Sequence, residues 1–192
     1  MNNKTTMQLL SLFILLGLSS SALAHPGHGA SGLTAGLLHP FSGMDHLLAM
    51  LAVGLWAGQL STRRIWLLPA VFMTLLAAGA GVALLYPALP MIEMSIAASV
   101  LVLGLIIALS LQLPTLLSIA LTAVFGFVHG YAHGMEMPGA IEPALYALGF
   151  LTATAVLHFS GVSLGLAARG HFAPWLQAFG AAIALSGVWM LN

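Results

Sequence analysis

The sequence predicts an all-α integral membrane protein, a bundle of six transmembrane helices that follows a cleavable signal peptide. Of the 192 residues, 60% are hydrophobic and only 4% are charged, whereas charged residues make up roughly 25% of a soluble domain. Long apolar segments fill the chain and leave no room for a soluble domain. Short stretches that contain Pro, Gly or Arg separate these segments. Four Lys or Arg balance four acidic residues, so no basic surface for nucleic acid is expected.

Residues 1–24 have the pattern of a signal peptide. Lys4 supplies the positive start, "MQLLSLFILLGL" the apolar stretch, and "SSSALA" the small residues that signal peptidase reads. The apolar stretch is short for a span, which takes about 20 residues, and an uncleaved first span is the alternative. Cleavage after Ala24 would make His25 the first residue of the mature chain. The α-amine and ring of His25, with His28, would then form a loose external cation site or belong to a flexible polar leader.

Residues 25–192 are predicted to form a single transmembrane domain with short loops. Short loops make successive helices antiparallel neighbours in one bundle. Gly and Ala are closely spaced in "AAGAGVA" and "GAAIALSG". Such residues let helices approach closely within the chain or between protomers, so the sequence is compatible with a homo-oligomer. The six spans are expected near residues 41–60, 65–86, 91–111, 114–135, 143–168 and 174–191.

The few basic residues orient these spans. Arg63 and Arg64 lie between the first and second spans, and Arg169 lies between the fifth and sixth. The positive-inside rule places those loops in the cytoplasm. Both mature termini then face outward, in agreement with a cleaved secretory signal. We therefore expect a multi-pass protein of the bacterial cytoplasmic (inner) membrane.

Ionisable side chains recur near the outer ends of the first and fourth spans, in "HPFSGMDH" and "HGYAHGME". In the fourth span these side chains follow one another at intervals of four and three residues, so they share a helix face. Ionisable groups inside a bilayer are functional by default and face a partner or an aqueous cavity. We expect the two helices to bring six side chains together. They are His39, Asp45, His46, His129, His133 and Glu136.

The first of these helices is predicted to be interrupted near residues 39–43. Pro40 disfavours helical geometry at His39, and Gly43 follows closely. Ser42 is expected to cap the helix that restarts there, with Asp45 in a capping-box-like position. Residues 30–38 are expected to form a short preceding helix. An interrupted helix exposes carbonyl oxygens, which complete cation sites in transporters.

Imidazoles with carboxylates favour a first-row divalent cation. Cysteine is absent, so thiolate sites are excluded. The order of metal affinities favours copper and nickel at any such nitrogen site, so the identity of the ligands alone does not select one metal. Met44, Met135 and Met137 flank the six residues, but Met commonly fills apolar gaps, and we interpret them as packing residues.

The two motifs together resemble the signature motifs of the HupE/UreJ family of nickel permeases. A related motif of His, four residues and Asp-His marks the wider group of nickel and cobalt transporters. The likeness includes the leader, the mature start "HPGHG" and the six-span layout, so it covers nearly the whole chain. It implies a secondary transporter without a resident cofactor, whose substrate is Ni²⁺ or, alternatively, Co²⁺. It also implies that the six residues are the functional positions.

Other functions have weaker support in the sequence. A zinc protease motif would require Glu at the position of Gly130, and Ser160 points away from His158 on a helix, so we expect no enzyme. A b-type haem held by His46 and His129 is the main alternative to transport. His158, deeper in the fifth span, is either a second station for the ion or a core histidine bonded to a neighbouring carbonyl.

Overall fold

The computed structural model describes residues 32–60, 65–86, 89–137, 142–170 and 172–192, and in these ranges every regular element is helical. The predicted all-α fold is confirmed. The predicted signal peptide, His25, His28, Arg63 and Arg64 lie outside the described residues. The α-helices are α1 (Gly32–Leu38), α2 (Met44–Gln59), α3 (Leu67–Leu85), α4 (Ile92–Ala108), α5 (Thr115–Glu136), α6 (Pro143–Ala167) and α7 (Ala173–Met190).

Helices α2 to α7 fall on the six predicted segments, and their ends agree with the predicted bounds to within three residues. Three of them, α3, α5 and α6, are long and apolar enough to cross a membrane. Helices α1 and α2 together meet the same requirement as a bent pair, which makes a fourth candidate span. Helix α4 has 17 residues and is shorter. Length and composition therefore support three or four spans among the described residues.

The predicted interruption of the helix near residues 39–43 is confirmed. Helix α1 ends at Leu38, a 3-10 turn covers His39–Phe41, and α2 begins at Met44 after a bend of 80°. The restart differs from the prediction, because Gly43 is the N-cap and no side chain caps the helix. The Ser42 hydroxyl instead donates a hydrogen bond to the His39 carbonyl at 2.6 Å. This bond closes the turn that holds His39.

Helix α2 lies at the centre of the bundle. All of residues 49–58 are buried, as expected for a helix that is apolar on every side. The outer helices expose large apolar side chains such as Leu85, Trp175 and Trp189. These exposed side chains suit the hydrocarbon of a bilayer, as expected for a membrane protein with a buried central helix.

Glycine residues allow particular helices to pack backbone to backbone. Helix α3 packs most extensively on α5, α4 on α7, and α2 on α6, whereas contacts between these pairs are fewer. A Cβ at Gly130 of α5 would overlap the Leu76 carbonyl of α3, and a Cβ at Gly161 of α6 would overlap the Leu51 carbonyl of α2. Small residues permit such close approach in membranes. Helices α2 and α6, and helices α3 and α5, therefore form two close-packed pairs.

Arg169 joins the end of α6 to the end of α2. Its guanidinium donates hydrogen bonds to the Gly58 carbonyl, at 3.0 Å from Nε and 2.8 Å from Nη2, and another from Nη2 to the Leu60 carbonyl. A cation is also favourable at this helix C-terminus.

We expect Arg169→Gln to lower the free energy of unfolding by about 2 kcal/mol, because charged hydrogen bonds to otherwise free carbonyls are lost. Denaturant titration of purified protein in detergent measures the change. Arg169→Lys keeps the charge with fewer directed donors and should give an intermediate value. Equal stability of all three proteins would contradict the role assigned to Arg169.

Candidate metal centre

The bend and the outer end of α5 bring the six predicted side chains to one place. His39 comes from the 3-10 turn, and Asp45 and His46 come from the first turn of α2. His129, His133 and Glu136 occupy the last two turns of α5. The two motifs, which lie about 90 residues apart in the sequence, thus face each other in the fold.

The outer part of this cluster is a compact group of three side chains. The Nε2 atom of His39 lies 3.1 Å from Oε2 of Glu136, and Nδ1 of His133 lies 3.8 Å from the same oxygen. His39, His133 and Glu136 offer one nitrogen or oxygen each, all within 4.8 Å of one another. Such a group has the donor types and the spacing to hold a divalent cation.

His46 connects the outer group to the deeper part of the cluster. Its ring centroid lies 4.1 Å from that of His133 and 5.3 Å from that of His129. His39 in turn lies 4.7 Å from His133, measured between the ring centroids. The four imidazoles therefore form a continuous row from the surface to the interior.

The buried histidines have ring nitrogens without hydrogen-bond partners. Nδ1 of His129 contacts the Phe125 carbonyl at 2.8 Å, and Nδ1 of His46 contacts Oδ1 of Asp45 at 2.8 Å. A neutral imidazole that donates through Nδ1 keeps a lone pair on Nε2. Both Nε2 atoms, and both nitrogens of His133, are buried without a partner among the described residues. Buried polar atoms normally have partners, so these nitrogens suit a cation.

Asp45 contacts His46 directly and orients its ring. Its Oδ1 contacts both the ring Nδ1 and the backbone nitrogen of His46, each at 2.8 Å. A carboxylate bonded to the second nitrogen of an imidazole fixes the ring orientation and raises its basicity. Spacing in the sequence did not distinguish this arrangement from direct coordination.

We expect Asp45→Asn to weaken metal binding by about 10-fold to 100-fold, as for other residues that orient metal-binding histidines. The Asn side chain still offers an oxygen to Nδ1 of His46 but no charge. Calorimetric titration of the purified protein with Ni²⁺ measures the effect. A variant that binds Ni²⁺ as tightly as the wild type would exclude the orienting role.

A cavity connects the cluster to the surface. It has a volume of about 290 Å³. The side chain of Glu136 is 43% exposed and that of His39 is 23% exposed, whereas that of His133 is only 2% exposed. A cation would therefore meet Glu136 and His39 first. The lining residues are His39, Ser42, Gly43, Asp45, His46 and Glu136.

Aromatic residues that the sequence did not single out enclose the cluster. The Phe150 ring of α6 lies 4.0 Å from the His133 ring, and the Tyr146 ring lies 5.7 Å from the His39 ring, centroid to centroid. On α3, the Phe72 ring lies 5.6 Å from that of His129. No spacing relates these residues to the two motifs, so only the helix packing reveals them. They limit the access of water to the deeper imidazoles.

The sequence profile of the family described as HupE / UreJ protein matches residues 13–190. The chain belongs to the HupE/UreJ family. A curated relative, Protein HupE of Rhizobium leguminosarum bv. viciae, is 40% identical over 177 residues, which is 92% of this chain and 93% of that protein. No solved structure matches the chain significantly. The family that the two motifs resemble is thus confirmed.

In this HupE/UreJ protein, His158 lies apart from the six clustered residues. Its Nδ1 contacts the Met50 carbonyl of α2 at 2.8 Å, which matches one of the two expectations for this residue, a bond to a neighbouring helix. Its Nε2 is nevertheless buried without a partner among the described residues. The bond to Met50 therefore accounts for only one side of the ring.

Proposed function

We propose that this protein is a secondary transporter that takes up a first-row divalent cation, Ni²⁺ in the first place, through the cluster of the candidate metal centre. In this proposal a cleaved signal peptide precedes six spans in the bacterial inner membrane, and both mature termini face the periplasm. The single observation that carries the proposal is the row of buried imidazole nitrogens without partners that begins at a surface cavity.

The donor set supports this choice of substrate. Imidazole nitrogen favours nickel, cobalt, zinc and copper over magnesium and calcium, which prefer oxygen ligands. Membership of the HupE/UreJ family favours nickel within that group, with cobalt as the alternative. The carboxylates of Asp45 and Glu136 offset part of the charge of the cation. The ion is cargo, so the protein needs no resident cofactor.

The gradient of burial indicates the order of events. The cation first meets Glu136 and His39 at the cavity and exchanges part of its water for their oxygen and nitrogen atoms. It then passes to His133 and His46, whose free nitrogens are buried. Transport requires binding that is strong enough for capture and weak enough for release. Ligands that lie in succession along the row meet both requirements.

The source of energy lies outside nucleotide hydrolysis. The chain has no "GxxxxGK[ST]" sequence, and Lys4 is its only lysine, so no P-loop is present. Uptake is then driven by the concentration gradient, the membrane potential or a proton gradient.

The b-type haem alternative fits the geometry less well. The rings of His46 and His129 lie 5.3 Å apart in an edge-on arrangement, and His133 packs against His46 at 4.1 Å. These direct contacts leave no slot for a porphyrin between the two rings. Haem would also leave the ion pairs of Glu136 unexplained. A purified protein without a Soret absorption band would exclude this alternative.

Proteoliposomes that contain a metal-sensitive dye test the proposal. We expect Ni²⁺ added outside to reach the dye only when the protein is present. Excess cobalt should compete with Ni²⁺ for uptake, and the same competition with zinc and copper measures the selectivity. The same measurement with and without an imposed proton gradient identifies the coupling. Equal Ni²⁺ influx into protein-free vesicles and proteoliposomes would contradict the proposed function.

A further inference from the structure

A buried imidazole lies inward of the metal centre. His158 is only 1% exposed. It follows Phe150 by eight residues on α6, which corresponds to about 12 Å along the helix axis, and Phe150 contacts His133 of the cluster. His129 is four residues inward of His133 on α5, or about 6 Å. His158 is therefore the deepest of the imidazoles among the described residues of these helices.

The orientation of the His158 ring is fixed. Its Nδ1 bonds the Met50 carbonyl at 2.8 Å, and Met50 lies one helical turn inward of His46 on α2. Donation through Nδ1 leaves the lone pair on Nε2, which is buried without a partner among the described residues. His46 and His129 show the same pattern, with Nδ1 bonded to an oxygen and Nε2 free. This pattern is typical of metal-binding histidines.

One aromatic ring connects His158 to the cluster. The centroid of Phe72 on α3 lies 5.6 Å from that of His129 and 5.2 Å from that of His158. The planes of Phe72 and His158 are nearly perpendicular, at 89°. Phe72 therefore contacts both the innermost imidazole of the cluster and His158.

We infer that Nε2 of His158 is a second, transient binding station for the divalent cation, reached from His129 past Phe72 on the way to the cytoplasm. This inference rests on the proposed function. The station supplies one imidazole nitrogen, and water fills the remaining positions around the ion. A single nitrogen binds more weakly than the row of four imidazoles, which suits release at the inner side.

The substitution His158→Asn distinguishes a metal-binding role of His158 from a purely structural role. The amide nitrogen of Asn takes the place of imidazole Nδ1, so His158→Asn keeps a donor for the Met50 carbonyl and removes Nε2 together with the far side of the ring. His129→Asn makes the same change inside the metal centre, where Nδ1 bonds the Phe125 carbonyl. The two variants form a matched pair.

Proteoliposome uptake and calorimetric binding of Ni²⁺ separate the two sites. We expect His158→Asn to lower the maximal uptake rate by about 10-fold or more, with Ni²⁺ affinity at equilibrium unchanged. His129→Asn should weaken that affinity. A His158→Asn variant that transports at the wild-type rate would overturn the inference and leave the proposed function intact. Failure of the wild-type protein to transport or bind Ni²⁺ would contradict the proposed function, and the inference with it.

The absence of cysteine from the chain provides a second test that does not depend on transport. In His158→Cys the thiolate is expected to bind Co²⁺ and give a sulfur-to-cobalt charge-transfer band in the near ultraviolet. Ser99→Cys is the control, because Ser99 is equally buried, on α4, and its hydroxyl donates a hydrogen bond within its own helix, to the Ile96 carbonyl. A band in the first variant alone supports the station. No band in His158→Cys, or the same band in both variants, counts against it.

Discussion

Uptake of Ni²⁺ is expected to fall to the level of empty vesicles in a His133→Ala variant. His133 lies in the middle of the row of imidazoles, since its ring lies within 5 Å of the rings of both His39 and His46. Both of its nitrogens are buried without a partner among the described residues. Removal of a central ligand should cost at least about 100-fold in metal affinity, beyond the effect of substitutions that only orient a ligand.

Met135→Ala is the matched control for His133→Ala. Met135 lies between His133 and Glu136 in the sequence, but its side chain is 46% exposed. We expect uptake by this variant to equal that of the wild type at the same protein density. Equal uptake by His133→Ala and the wild type would exclude the cluster as the transport site. A loss in Met135→Ala would instead indicate a thioether ligand and a softer metal.

The largest effect on stability is expected for Gly130→Ala. Gly130 lies within "HGYAHGME" between two metal-centre histidines, and its packing partner is the backbone of Leu76 on α3. Backbone atoms cannot turn away as a flexible side chain can, so the added methyl group has to push α3 and α5 apart. We expect a loss of about 3 kcal/mol in the free energy of unfolding, at the upper end for overpacked cores.

Gly81→Ala provides the control for this prediction. Gly81 lies in α3, the packing partner of α5, and a Cβ at this position would have no neighbour within 4 Å. This substitution should leave stability unchanged or raise it by a few tenths of a kcal/mol, since Ala favours helix over Gly. Denaturant titration in detergent compares the two variants. Equal stability of both would show that α3 and α5 do not pack as closely as the structure indicates.

Helix positions could be predicted because they depend on local features. Proline, glycine and changes in polarity mark the ends of α2 to α7, and these ends agree with the structure to within three residues. Pro40 and Gly43 likewise indicated the bend. The cap was wrong, since Ser42 bonds backward to His39 and Gly43 takes the N-cap position. The Ser42 hydroxyl can either donate to a preceding carbonyl or accept from an amide of the following helix, and the spacing of residues alone does not decide between these two bonds.

The helix pairing could not be predicted in the same way. The positions of His129, His133 and Glu136 on one face of α5 follow from helical periodicity, but the helix that this face meets depends on packing across the whole bundle. Phe72 and Phe150 therefore carried no signal in a chain rich in apolar residues. The bonds from Arg169 to α2 and from His158 to Met50 join residues more than 100 positions apart. They become visible only after the fold is known.

The division of the cluster between two close-packed helix pairs has a mechanical consequence. His39, Asp45 and His46 belong to the part of the chain that includes α2 and α6, whereas His129, His133 and Glu136 belong to α5, which is joined to α3. A cation held by both groups would bridge the two helix pairs. Loading of the ion would then strengthen the contact between the two pairs, and unloading would weaken it.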